Sequence, residues 1–133
     1  MKLFVTGGAG YIGSHVVLEA LDKGFDVTVF DDLSSGSEKN INKNTKFING
    51  STLSENDLIN SLKGEKYDGV IHLAAKKSAG DSMVSPLTYA QNNIVGGLNV
   101  IKASINMGLK FFIFSSTAAV YGTPKYSPID EDH

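Results

Sequence analysis

Apolar positions along this chain change their spacing several times, and each change marks an element. Leu3-Phe4-Val5 is a short apolar run of the kind a buried strand makes. The stretch from Ser14 to Lys23 reads as a helix: Ile12, Val16, Val17, Ala20 and Leu21 form one stripe, and Gly24 supplies the stop. Val27 to Phe30 is a second strand. Asp31 to Asn44 is polar, rich in Ser and Asn with one glycine, Gly36, and reads as a loop with room for one helical turn. Lys46-Phe47-Ile48-Asn49 is a short third strand. Ser54, with Asp57 three residues on, caps a helix whose apolar side is Leu58, Ile59 and Leu62 and whose end is Gly64.

The second half continues the alternation. Tyr67 to Ala75 is almost continuously apolar, as a parallel strand covered on both faces should be. Ser78 to Ser85 is small and polar and reads as a loop. Pro86 to Met107 reads as one long helix, with proline near its start and Gly108 past its end. Gly96 and Gly97 weaken that helix, and close approach to another backbone would explain them. Lys110 to Ser115 is a fifth strand, and the tail from Thr123 to His133, with Pro124 and Pro128, is loop. Strands alternating with helices imply right-handed crossovers and a parallel sheet. The fold expected is α/β, a Rossmann-type doubly wound parallel sheet with strand order 3-2-1-4-5. A ligand then belongs outside the carboxyl ends of the strands, where strands 1 and 4 diverge. Three segments end there: the turn after Val5, Leu73-Ala74-Ala75 and Ser115-Ser116-Thr117.

The turn after Val5 holds Gly7, Gly8, Gly10 and Gly13, so the spacings G-x-G-x-x-G and G-x-x-G-x-x-G overlap. Such a turn bends sharply, leaves no side chain against a diphosphate, and lets the helix pack close to its strand. The helix start then offers unpaired N–H groups and a positive dipole end. The second strand ends in Asp31, 18 residues after Gly13, the place for a carboxylate that binds a ribose 2′-OH. The plain alternative is a glycine-rich turn beside a solvated acid. Strand, glycines, helix, second strand and acid in this order favour the dinucleotide.

Composition narrows the picture. One domain is expected for 133 residues, with 41% hydrophobic and 20% charged, an ordinary globular balance. A net charge of −2 gives no reason to expect nucleic acid or an anionic membrane as partner. No apolar run approaches membrane-spanning length, and Met1 to Val5 is too short for a signal-peptide core. There is no cysteine, hence no disulfide and no thiolate metal site; a reducing compartment is compatible, and the expected location is cytoplasmic. All 12 basic residues are lysine. Asp31 with Asp32 would repel a 2′-phosphate and no arginine is present to receive one, so NAD is favoured over NADP. His15 and His72 read as structural rather than acid–base groups, and Asp130-Glu131-Asp132 as a solvated tail without metal-ligand spacing.

With these pieces in place the chain resembles the extended short-chain dehydrogenase/reductase family, and within it the sugar-nucleotide 4-epimerases of the galactose pathway. The resemblance rests on Val5 to His15, Asp31-Asp32-Leu33-Ser34, Val70 to Ala75, Pro86-Leu87-Thr88-Tyr89 with Asn92-Asn93, and Phe112 to Gly122. It runs the full length of the chain and corresponds to less than half of a complete epimerase. It implies an incomplete NAD-binding domain over residues 1–133, stopping before the last strands of the sheet, with the substrate domain absent. The backbone N–H groups of Tyr11 and Ile12 would hold the diphosphate of NAD. Asp31 would bind the adenosine ribose, with Asp32, Leu33, Ser34, Ser35 and Gly36 lining that loop. Leu73, Ala74, Ala75 and Lys77 would pass along the cofactor, with Asn92 facing it from the long helix and Ser115 at the end of the fifth strand. Thr117 takes the catalytic Ser/Thr position, hydrogen-bonding the reacting hydroxyl of a UDP-sugar. The implied reaction interconverts UDP-glucose and UDP-galactose through a 4-keto sugar: a tyrosinate takes the hydroxyl proton, hydride goes to NAD⁺, and the ketose takes it back on its other face.

Three departures qualify the resemblance. Asp32 stands where the family usually has Asn. After Gly50, where an Asp often meets adenine, the chain has Ser51 and Thr52, so that contact is weakened or remade; Ser51 could still offer a hydroxyl, and both stay among the cofactor-binding candidates. The family's base is a Tyr with a Lys four residues later on a helix. Tyr121 and Lys125 match by letter only, because Gly122 and Pro124 interrupt any regular turn between them. Two readings follow: the cofactor part of a sugar-nucleotide epimerase (or of a related dehydratase or decarboxylase), inactive alone, and a dinucleotide-binding module without turnover. An unpaired apolar fifth strand also predicts self-association through the sheet edge.

Overall fold

Five short strands lie side by side in the computed structural model, which describes residues 1–133. β1 (Lys2–Thr6) is central, between β2 (Asp26–Asp31) and β4 (Gly69–His72), with β3 (Lys46–Asn49) and β5 (Phe111–Phe114) at the edges. All neighbours are parallel and the order is 3-2-1-4-5, as the Rossmann-type reading predicts. Leu3 pairs with Val27 on one side and Gly69 on the other.

Period-2 side-chain alternation sends the strands' apolar residues to two cores. Leu3, Val5, Val27 and Val29 meet Val17 and Ala20 of α1 (Tyr11–Asp22) on one face. Phe4, Phe30 and Val70 meet, on the other face, Leu58 and Leu62 of α2 (Glu55–Leu62), Val100 and Ala103 of α5 (Gly96–Asn106), and Tyr67. Phe4 stacks obliquely on Phe30 and edge-on against Tyr67, whose hydroxyl donates to Thr28 Oγ1 at 3.1 Å. A doubly wound sheet therefore forms, with helices on both faces and its polar turns at the strand ends.

Several elements differ from the sequence expectation, each for a local reason. α1 begins at Tyr11, inside the glycine motif, rather than at Ser14. β4 stops at His72 rather than Ala75: β1 turns away after Thr6, so Leu73 makes the last ladder bond to Thr6 O at 3.0 Å and the next residues cross the glycine turn. Ser78 to Ser85 is not loop but holds α3 (Ala79–Val84), because Ser78 Oγ accepts from Asp81 N at 3.3 Å and caps it. The long helix is continuous but not regular: α4 (Pro86–Ala90) runs into a π-helical turn over Gln91–Val95 before α5 resumes. The polar loop after β2 has its one turn, a 3₁₀ turn at Glu38–Asn40. Ser54 caps α2 as expected, accepting from Asp57 N, but the Asp57 carboxylate reaches past Ser54 to accept from Ser51 N at 3.2 Å. Neither Gly96 nor Gly97 approaches another backbone: a Cβ on Gly96 would lie 2.6 Å from the side-chain Oγ1 of Thr52, and one on Gly97 at an ordinary contact distance of 3.5 Å from His72 Nε2.

Candidate functional site

Two adjoining clefts open at the carboxyl ends of the strands, on either side of the Leu73–Lys77 segment. The first, ≈ 240 Å³, is walled by Gly7, Gly10, Tyr11, Ile12 and Gly13 of the turn, Asp31 at the end of β2 with Asp32, Ser34 and Ser35 beyond it, and Leu73 to Lys77 after β4. Gly50, Thr52, Asn92 and Ser115 complete it. The second, ≈ 690 Å³, shares Ile12, Leu73 to Lys77 and Ser115, and adds His72, Tyr89, Asn93, Ser116 and Thr117 among others.

The glycines explain how the first cleft exists. Gly7 has φ +74°, and a Cβ there would lie 2.6 Å from Ala74 N, so only glycine lets the β4 exit segment cross the turn. A Cβ on Gly13 would collide with Gly7 O. Gly10 is the N-cap of α1 and has no side chain to cap it; the first intrahelical bond runs from Ser14 N to Gly10 O at 2.9 Å. The N–H groups of Tyr11, Ile12 and Gly13 are thereby left without a protein partner, at the positive end of a 12-residue helix.

Opposite them lies Asp31, buried at 9% exposure. Its Oδ2 accepts from Ala9 N at 3.0 Å and its Oδ1 from Leu33 N at 2.9 Å. Each oxygen keeps further acceptor capacity, so the carboxylate is fixed and still able to take ligand hydroxyls. Leu33, at φ +59°, is held in the left-handed region by that bond. Asp32 Oδ1 accepts from Ser34 N at 2.9 Å.

On the far wall Asn93 grips the backbone of Lys76 in both directions, Oδ1 accepting from its N–H and Nδ2 donating to its carbonyl, both at 2.8 Å. Asn92 Nδ2 donates to the same Asn93 oxygen at 3.1 Å. The π-helical turn thus carries the asparagines that pin the segment between the clefts. Neither Lys76 nor Lys77 forms an ion pair, so the junction between the clefts offers two free ammonium groups to an anion. His72 lies beneath the second cleft, 2% exposed, its Nδ1 2.6 Å from Thr6 Oγ1 and its ring beside Phe112 and Phe114. Burial pushes its imidazole below the ordinary 6.5, which keeps it neutral and agrees with a structural role.

Most of the residues singled out from sequence meet around the first cleft, but four do not. Leu33 and Gly36 lie on the turned-back part of the loop after β2 and line neither cleft. Ser51 also lies outside both, its Oγ taken by Leu53 N at 3.3 Å. Thr117 stands on the second cleft, where its Oγ1 accepts from Ala119 N at 3.3 Å and opens a 3₁₀ turn. Gly50 and Lys76 line the first cleft without having been singled out for it. Gly50 was legible as the residue after a strand, whereas nothing in the sequence separates Lys76 from Lys77.

A glycine turn, an uncapped helix start and a buried acid at the switch point define a Rossmann-type domain. Residues 3–133 match the NAD dependent epimerase/dehydratase family, and the chain belongs to it. It is 42% identical over 133 residues to the UDP-glucose 4-epimerase of Lactobacillus helveticus, a match covering 99% of this chain and 40% of the relative. Among solved structures, UDP-glucose 4-epimerase from Thermotoga maritima with UDP-glucose superposes at TM-score 0.86 and 42% identity, over 90% of this chain and 38% of that one. The Bifidobacterium longum enzyme in complex with NAD⁺ and UDP superposes at 0.88 and 36% identity, over 99% of this chain and 42% of that one. The chain therefore spans about 40% of the length of the relatives it matches.

Proposed function

We propose that the chain is the NAD-binding part of a UDP-glucose 4-epimerase, an enzyme interconverting UDP-glucose and UDP-galactose through a 4-keto intermediate, and that its setting is cytoplasmic. The observation that carries this is the start of α1, where Tyr11, Ile12 and Gly13 hold out unpartnered N–H groups over glycines that leave no room for a side chain, facing the fixed carboxylate of Asp31. Those groups fit a dinucleotide. Tyr11 and Ile12 would hold the diphosphate and Asp31 the adenosine ribose. Asp32, Ser34, Ser35 and Thr52 would enclose the adenosine end, while Leu73, Ala74, Ala75, Lys77, Asn92 and Ser115 would flank the rest. NAD, when bound, supplies the hydride acceptor and donor of the reaction. Thr117 would hold the reacting sugar hydroxyl on the second cleft. Asp31 and Asp32, with no arginine in the chain, would exclude a 2′-phosphate.

The polypeptide of 133 residues is proposed to bind the cofactor without turning substrate over. No helix here carries a Tyr and a Lys four residues apart: Tyr121 ends a 3₁₀ turn and Lys125 lies beyond it. Amide chemical shifts recorded while adding NAD should move first at Tyr11, Ile12 and Leu33. Shifts confined to surfaces away from the two clefts would refute the assignment. An assay with UDP-glucose and NAD should yield no UDP-galactose, and product formation would overturn the claim of inactivity.

A further inference from the structure

The glycine turn is braced from outside by a residue of the loop after β2. Ala9, fully buried within the turn, has its N–H engaged from the end of β2 and its carbonyl from that loop. Its N–H donates to Asp31 Oδ2, and its carbonyl accepts from Asn40 Nδ2 at 2.9 Å and from Ser37 N at 3.1 Å. Gly36 lies against the same residue, where a Cβ would come 2.9 Å from Ala9 Cβ and 3.0 Å from its carbonyl carbon and oxygen. Ser37 Oγ in turn caps the 3₁₀ turn that ends at Asn40. The loop is thus folded to deliver one side-chain amide to one carbonyl 31 residues earlier.

That carbonyl is well placed to matter. It shares a rigid peptide plane with the N–H of Gly10, the N-cap of α1, which donates to Gly7 O at 3.2 Å. Holding the Ala9 oxygen therefore fixes the plane immediately before the unpartnered N–H groups of Tyr11 and Ile12. We propose that Asn40, which lines neither cleft, is a positioning residue for the anion-binding start of α1, acting through the Ala9 carbonyl. This rests on the reading of that helix start as the diphosphate site.

The test compares wild type with Asn40→Ala and Asn40→Asp, the second keeping the size of the side chain while removing its donor. Hydrogen exchange of the free protein is read at Ala9, Gly10 and Ser14, and calorimetry is run with ADP and with NAD. Both variants should speed exchange at these three amides and weaken ADP and NAD alike by about tenfold, with the unfolding midpoint almost unmoved. Retained affinity in Asn40→Asp would mean that shape, not the donated bond, is what counts, and would overturn the proposal. Exchange accelerated only at residues 37–41 would show a local loop anchor and would overturn it too. If wild type binds neither nucleotide, the functional reading fails, and the exchange data alone still decide whether Asn40 braces the turn.

Discussion

Gly13 is the residue whose identity the structure enforces most strictly. A Cβ there collides with Gly7 O, whereas a Cβ on Gly10 would sit 3.3 Å from the same oxygen. Gly13→Ala should therefore cost about 3 kcal/mol or more, and Gly10→Ala about 1 kcal/mol, by denaturant unfolding. Equal costs would show that the turn relaxes and that close approach is not the constraint. A second residue sets acid stability. Hydrogen bonds from the ammonium groups of Lys2 and, next, Lys46 hold the Glu65 carboxyl below its ordinary 4.5, at about 2. The folded value lies below the unfolded one, so the contribution is whole above about 4.5 and is lost as pH falls through about 2. Unfolding midpoints of Glu65→Gln should accordingly depend less on pH than wild type across that window, and parallel curves would contradict the pairing. Glycines and Asp31 were legible because each answers a steric or charge requirement that spacing alone displays. Ala9 and Asn40 were not, because they meet through a hydrogen bond across a loop whose path no periodicity encodes, and Leu33 was legible only through the resemblance.

At the scale of elements, strands and long helices announced themselves and their irregularities did not. The apolar pair Phe47-Ile48 with its polar flanks marks the third strand at its observed bounds, Lys46–Asn49. The π-helical turn escaped because helical spacing before and after it differs by only one residue. α3 escaped because Ser78 and Asp81, which cap it, sit among small residues that read as loop. The glycine pair in the long helix gives a direct test. Gly97→Ala meets only ordinary contact at 3.5 Å and should stabilise by about 0.5–1 kcal/mol, while Gly96→Ala meets Thr52 at 2.6 Å and should not. Stabilisation by both would show that Thr52 simply moves aside. β5 makes the other element-level prediction. It is an edge strand with Ile113 50% and Phe114 60% exposed. We expect self-association through it, reduced by Ile113→Lys; a wild type that sediments as a monomer at all concentrations would count against this.

For the whole molecule, the parallel sheet followed from the alternation of strands and helices, and its order 3-2-1-4-5 from the glycine turn and acid that mark a Rossmann-type fold. That order brings the glycine turn, Asp31 and the β4 exit to one end of the sheet, where the chain's polar loops gather. Substrate chemistry was legible only through resemblance, because the second cleft is built mainly from small and apolar residues whose types name no reaction. The central claim is that this end of the sheet is shaped for a dinucleotide lacking a 2′-phosphate. Calorimetric titration of the 133-residue chain with NAD and, separately, NADP tests it most directly. The account predicts saturation at one NAD per chain and at least tenfold weaker NADP, a difference of about 1.4 kcal/mol. No heat with NAD, or NADP bound as tightly, would contradict it.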